Sequence, residues 1–103
     1  MLPKRLRNLP VVTRCAGLTI VEARTRKARL LGLALIKEPP VGVALHLPRC
    51  RSVHSFGMRF PIDVAFLDAR GNLVRIDRAV PRNRIRTCRN AWSVVEKPTG
   101  AAP

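Results

Sequence analysis

Acidic residues are scarce in this chain of 103 residues: six Asp plus Glu stand against twenty Lys plus Arg, a formal net charge of +14. With so few carboxylates, the paired acids of glycoside hydrolysis are close to unobtainable. Tyrosine is absent, and Phe56, Phe60, Phe66 and Trp92 are the whole aromatic complement. The core must therefore be filled by Val, Leu, Ile and Ala. Aromatics are not interleaved among the cations, which argues against a stacking platform for single-stranded nucleic acid. The cysteines, Cys15, Cys50 and Cys88, are odd in number and widely spaced, so they make no disulfide framework and read as small core thiols. The longest apolar run, Leu30 to Ile36 broken only by Gly32, falls well short of the ~20 residues of a membrane span. The basic N-terminus has no apolar stretch of the secretory kind, and a cytoplasmic, reduced setting is the expectation. Internal repeats, a glycine-rich phosphate loop and a nucleophile elbow are missing as well.

What is present suits one small domain. Hydrophobic residues make up 47% of the chain and charged ones 25%, a globular balance. The cations are scattered: Arg24, Arg26, Lys27 and Arg29 in one place, Arg49 and Arg51 in another, and Arg82 to Arg89 in a third. Such a field draws polyanions in a salt-dependent way, so nucleic acid is a possible but unspecific partner.

The pattern predicts a mainly β domain with one short helix, arranged as a small mixed-sheet barrel or a sandwich-like unit over residues 11–103. Residues 1–10 precede it as a basic, proline-flanked arm, expected to be loosely held. Val11 to Val21 reads as one or two short strands. Arg24 to Ile36 is rich in helix formers, with Ala28, Leu31 and Leu35 on one side, Thr25 as a cap and Glu38-Pro39-Pro40 as the stop. A strand follows from Val43 to Leu47. After Pro61, the residues Ile62, Val64 and Phe66 share one face while Asp63, Ala65 and Leu67 share the other. Asp68-Ala69-Arg70-Gly71-Asn72 is a turn, and Leu73 to Ile76 returns as its hairpin partner. Arg82 to Asn90 is a cationic connection, and Ala91 to Glu96 is the final strand.

The run Ser52-Val53-His54-Ser55-Phe56-Gly57-Met58-Arg59-Phe60-Pro61-Ile62-Asp63-Val64-Ala65-Phe66-Leu67-Asp68, with Gly71 and Val80-Pro81 after it, resembles the signature of domain of unknown function 192. That bacterial and archaeal family is also known as uncharacterised protein family 0127. Upstream, Arg29-Leu30-Leu31-Gly32-Leu33 is similar to its Arg-x-x-Gly-Leu element. The likeness spans about Leu18 to Gly100. It implies a compact domain, mainly of β-strands with short helices, and no settled activity. The departure is at the end, where relatives continue with another short stretch beyond the glycine.

The chemistry of the central run is open to two readings. In an extended strand, His54, Phe56 and Met58 leave on one face, and Arg59 and Asp63 flank the Phe60-Pro61 corner closely enough to pair. In the functional reading these five residues line a pocket, with His54, Arg59 and Asp63 polar and Phe56 and Met58 apolar. A small anion or the tail of a partner peptide suits such a lining. In the structural reading Arg59 and Asp63 merely lock the corner, and His54 is a satisfied strand residue. An enzyme built on Cys50 and His54 is the alternative, although nothing in the spacing brings a base onto the thiol. Cys50-x-x-x-His54 with His46 or Cys88 is too loose for a zinc site. No metal or cofactor is implied. The expectation is therefore a non-catalytic binding or accessory module.

Overall fold

The computed structural model describes residues 6, 9–15 and 18–100. Within residues 9–15 and 18–100, runs of Val, Ile and Leu, broken by Gly and Pro, fold into eight strands and one helix. The elements are β1 (Val11–Cys15), β2 (Leu18–Glu22), α1 (Arg26–Leu31), β3 (Val43–Pro48), β4 (Ser52–His54), β5 (Ile62–Leu67), β6 (Leu73–Val80), β7 (Ile85–Thr87) and β8 (Ser93–Pro98). A six-stranded sheet has the order β1-β2-β3-β8-β5-β6, and β4 and β7 form a second, two-stranded sheet. β2 and β3 run parallel, and every other pairing is antiparallel. A parallel neighbour cannot be reached by a tight turn, so the segment carrying α1 serves as the crossover between β2 and β3.

The domain is thus mainly β with one short helix and a mixed sheet, as expected. The barrel alternative is not what forms. The large sheet stays open, with β1 and β6 as its edges among the described residues. Along β6, Arg75, Asp77 and Arg78 place charge on the edge strand, a common device against further pairing. The central strands β3, β5 and β8 are the buried ones. Phe66, Leu45, Val64 and Val94 are fully enclosed there, together with Leu33, Val21 and Leu6.

Two local expectations need correction. The helix does not reach Ile36 or wait for Pro39. It ends at Gly32, whose φ of 55° and ψ of −123° belong to backbone space open to glycine alone. Leu35 then takes φ 68° and is exposed, so the stripe of Ala28, Leu31 and Leu35 is never assembled. The cap is as read: the Ala28 amide donates to Thr25 Oγ1 at 3.0 Å. In the cationic connection, Ile85–Thr87 is a strand, because β4 needs a partner and finds it there.

The hairpin forms as the turn chemistry dictates. Asp68 Oδ1 accepts from the amides of Arg70 and Asn72, each at 2.9 Å, and Gly71 takes φ 85°. At the other end of β5, Asp63 ties three strands together. Its carboxylate accepts from Lys97 Nζ at 2.9 Å, Thr99 Oγ1 at 2.8 Å and the Ala79 amide at 2.8 Å, with Arg78 at 3.8 Å. Ala79 presents that amide from a β-bulge, at φ 51°. Burial by itself would raise the Asp63 pKa. The bonds from Lys97, Ala79 and Thr99 outweigh burial and hold it below the ordinary 3.8. Its stabilisation is therefore present above that value and is lost as pH falls through the lower, folded-state value. Asp63→Asn is expected to cost about 3 kcal/mol, since it leaves Lys97 without its counter-charge. Urea denaturation at neutral pH measures this, and an unchanged midpoint would show the network to be idle.

Candidate functional site

The stretch before Pro61 is not straight. β4 stops at His54, and the next four residues form a turn in which the Met58 amide donates to the Ser55 carbonyl at 3.2 Å and Gly57 takes φ 80°. Ser55 causes the bend. It is buried, its amide donates to the Arg84 carbonyl at 2.8 Å, and its hydroxyl donates to the Pro81 carbonyl at 2.6 Å while accepting from the Arg84 amide at 2.8 Å. A residue held by these three bonds to a neighbouring segment turns away from the strand.

The five residues of the central run are consequently divided. His54 and Phe56 stay together, their rings stacked 5.7 Å apart at 23°. Met58 is buried, and Arg59 sits beside it on a separate cleft shared with Leu35, Gly57, Arg82 and Asn83. Asp63 is elsewhere, in the network already described, and Arg59 is not among its partners. The expected Arg59–Asp63 pair does not form because Lys97, directly opposite Asp63 on β8, takes that place.

A different constellation gathers around His54. The alternation of β8 sends Val94, Glu96 and Pro98 to one face, opposite to Lys97, so Glu96 lies on the far side of the sheet from Asp63. Glu96 is 2% exposed. It is covered by the end of α1, where the Leu33 amide donates to its carboxyl. Gly32 makes this approach possible, since a Cβ there would lie 2.5 Å from Glu96 Oε1. From β4, His54 Nε2 meets the Leu30 carbonyl at 2.8 Å, and a carbonyl only accepts, so Nε2 carries the proton. Arg29 extends from the same helix to the carbonyls of Pro48 at 2.7 Å and Arg49 at 3.4 Å.

Between these groups lies a half-open cavity of about 40 Å³, with Arg29, Gly32, Leu47, Ser52, His54 and Glu96 in its wall. Room for water is reached at about 10–15 Å³, so the cavity accepts a few water molecules or one polar functional group. Two buried side-chain atoms lack a hydrogen-bond partner among the described residues, His54 Nδ1 and Glu96 Oε1. Both residues line this cavity. Burial pushes the Glu96 pKa up to about 8, against the opposing pull of the Leu33 amide. At neutral pH Glu96 is therefore a carboxylic acid, able to donate as well as accept.

Cys50 is close by and is a poor nucleophile. Burial raises its pKa, and the thiol donates to the Ser52 carbonyl at 3.2 Å. No cluster of three or more His, Cys, Asp or Glu able to hold a metal occurs among the described residues. Nor does any described helix have the length and apolarity to cross a membrane. Sequence reasoning missed Glu96, Gly32 and Arg29. A single acid inside the apolar alternation Val94, Glu96, Pro98 was the available signal for the first of them.

An open mixed sheet with a helical crossover, and with a small polar cavity at the helix end, defines the class of domain. The chain belongs to the family of domain of unknown function 192, described as uncharacterized ACR, whose profile matches residues 11–103. Two solved structures share the fold. One, from Sinorhizobium meliloti 1021 and titled a "putative transcription regulator", has a TM-score of 0.70 at 20% identity, with 82% of this chain and 70% of that chain covered. The other, a protein of unknown function from Novosphingobium aromaticivorans DSM 12444, has a TM-score of 0.68 at 15% identity, covering 97% and 88% of the two chains. No curated protein matches.

Because Glu96 titrates near 4.5 when unfolded and near 8 when folded, the folded state holds one more proton across that window. Stability is then full below the lower value and falls as pH rises through the upper one, by at most about 1.4 kcal/mol per pH unit. Glu96→Gln should remove this slope between pH 5 and 8 in chemical denaturation. A wild-type slope identical to the variant's would mean that the acid is not buried. Gly32→Ala should cost about 2 kcal/mol or more, through both the positive φ and the clash with Glu96, and thermal melts would record it.

Proposed function

We propose that the domain is a non-catalytic binding module whose cavity at the end of α1 receives the carboxylate of a small acid or of a peptide tail. One observation carries the reading: the two residues that each have an unpartnered buried side-chain atom among the described residues, His54 (Nδ1) and Glu96 (Oε1), both line a single cavity of the size of one functional group. Leaving buried polar atoms unmade costs about 1–3 kcal/mol each, a cost that a ligand or ordered water recovers. A carboxylate oxygen accepts from the protonated Glu96, and the other accepts from His54 once Nδ1 gains a proton. Arg29 and the +14 field favour an anion over a neutral hydroxyl compound. Phe56, stacked on His54 and 47% exposed, offers an apolar rim for the rest of the ligand. The high pKa of Cys50 and the small number of acids weigh against an enzyme built on this region.

Acetate, formate and lactate titrated against the protein at pH 6 should raise its melting temperature, while glycerol should not. Wild-type affinity for acetate should fall as pH rises through about 8, when Glu96 ionises and repels the ligand. Glu96→Gln, with an amide in place of the acid, should lose less affinity than the wild type over that range. His54→Phe should weaken binding by about tenfold, the worth of one hydrogen bond to a charged group. Stabilisation by glycerol equal to that by acetate, or none by any carboxylate, would leave the cavity as a site for ordered water.

A further inference from the structure

On a separate cleft, the side chains of Arg59 and Arg82 have no partner among the described residues. The Ser55 staple explains how they come together. By binding the 81–84 segment through its amide, carbonyl and hydroxyl, Ser55 sets the turn carrying Gly57 and Met58 beside the one carrying Asn83. The Leu35 amide adds a bond to the Gly57 carbonyl at 2.8 Å, closing a third side. Leu35, Gly57, Met58, Arg59, Arg82 and Asn83 then line a concavity of about 450 Å³. Small-molecule sites span roughly 300–1,000 Å³, so the space is sufficient for a metabolite.

No acidic residue lines the cleft among the described residues. Neither the Arg59 nor the Arg82 guanidinium donates to any group among the described residues, which is true also of Arg26, Arg49, Arg70 and Arg89, but Arg59 and Arg82 share one cleft. Two exposed arginines that line one cleft repel each other, and an anion between them relieves that repulsion. A guanidinium fork matches the oxygens of a tetrahedral oxyanion in bidentate fashion. The Asn83 side-chain amide adds a further donor to the lining, while Leu35 and the buried Met58 add apolar groups to it. An inorganic ion would use only the first set of groups, and an ester uses both.

We propose that the cleft between Arg59 and Arg82 is a binding site for the phosphoryl group of a phosphate monoester, independent of the carboxylate cavity at the end of α1. The staple makes the site rigid before the ligand arrives, so the two turns need no reordering on binding. The phosphoryl group can come from a small metabolite or from the terminal phosphate of an oligonucleotide, and the test separates these sources.

Calorimetric titration of the full chain with phenyl phosphate, inorganic phosphate, acetate and a short 5′-phosphorylated oligonucleotide provides that test. Phenyl phosphate is expected to bind more tightly than inorganic phosphate, and acetate should not displace it. Arg59→Gln and Arg82→Gln should each weaken phenyl phosphate binding at least tenfold, with melting temperature and acetate binding unchanged. Arg26→Gln with Arg70→Gln, which removes two charges elsewhere, should leave it within twofold. An oligonucleotide that competes with phenyl phosphate only when 5′-phosphorylated assigns the source to nucleic-acid ends, and one that fails to compete assigns it to small esters. The proposal is overturned if the Arg26/Arg70 double variant weakens binding as much as the cleft variants, since that is the response of a diffuse field. Absence of any phenyl phosphate binding at low salt overturns it equally.

Discussion

The end of the fold that holds the candidate site depends on one contact, the seating of a buried carboxyl beneath a helix that stops early. Glu96 belongs to β8, the strand flanked by β3 and β5 in the large sheet, and its side chain is buried. Its Oε1 is approached so closely by Gly32 that no residue with a side chain fits there without displacement. The same glycine ends α1, which frees the Leu33 amide for the carboxyl and leaves the Leu30 carbonyl for His54. Helix length, strand register and the position of the imidazole are thus consequences of a single close approach. A longer helix would have consumed those backbone groups internally, and no cavity would remain.

The two faces of the sheet treat their acids in opposite ways. Asp63 is surrounded by four donors and stays ionised, so it acts as a fastening between β5, β6 and β8. Glu96, reached by one amide, is held in its neutral form. A fastening has no spare valence and cannot recruit a ligand. A neutral acid with an unmade bond beside a histidine with another can, because its deficit is removed only by something that enters from outside. This contrast explains why the binding reading moves from Asp63 to Glu96 while His54 stays within it.

Much of the fold was legible because turn chemistry and alternation act locally. Asp68 and Gly71 specify the β5–β6 hairpin without reference to the rest of the chain. The faces of β5 follow from period two, and Thr25 caps α1 as its hydroxyl requires. The errors fall where a distant segment intervenes. Helix formers from Arg24 to Ile36 promised a longer α1, yet the approach of β8 demanded glycine geometry at position 32. His54, Phe56 and Met58 promised a common face, yet Ser55 is bound to residues 81–84, roughly a quarter of the chain away. An acid on an apolar face could have been flagged from β8 alone, but the identity of its neighbours is set by the parallel crossover, which no local pattern encodes.

The charge excess reads differently once the cations are sorted by what they touch. A net charge of +14 suggests indiscriminate attraction, and attraction of that kind accelerates encounters without choosing among anions. Selection requires a shape in which desolvated donors outnumber their internal partners. Lys97, Arg75 and Arg86 have spent their charge on Asp63 and Asp77, so they cannot supply it. At the Ser55 staple the accounting is reversed, because Arg59 and Arg82 are brought together without an acid between them. Folding that places like charges side by side forgoes some stability, and natural sequences generally concentrate such concessions where something is bound. Under the two proposals, the positive field delivers anions, and the two concave sites, one with a proton to give and one with guanidiniums, decide which of them stay.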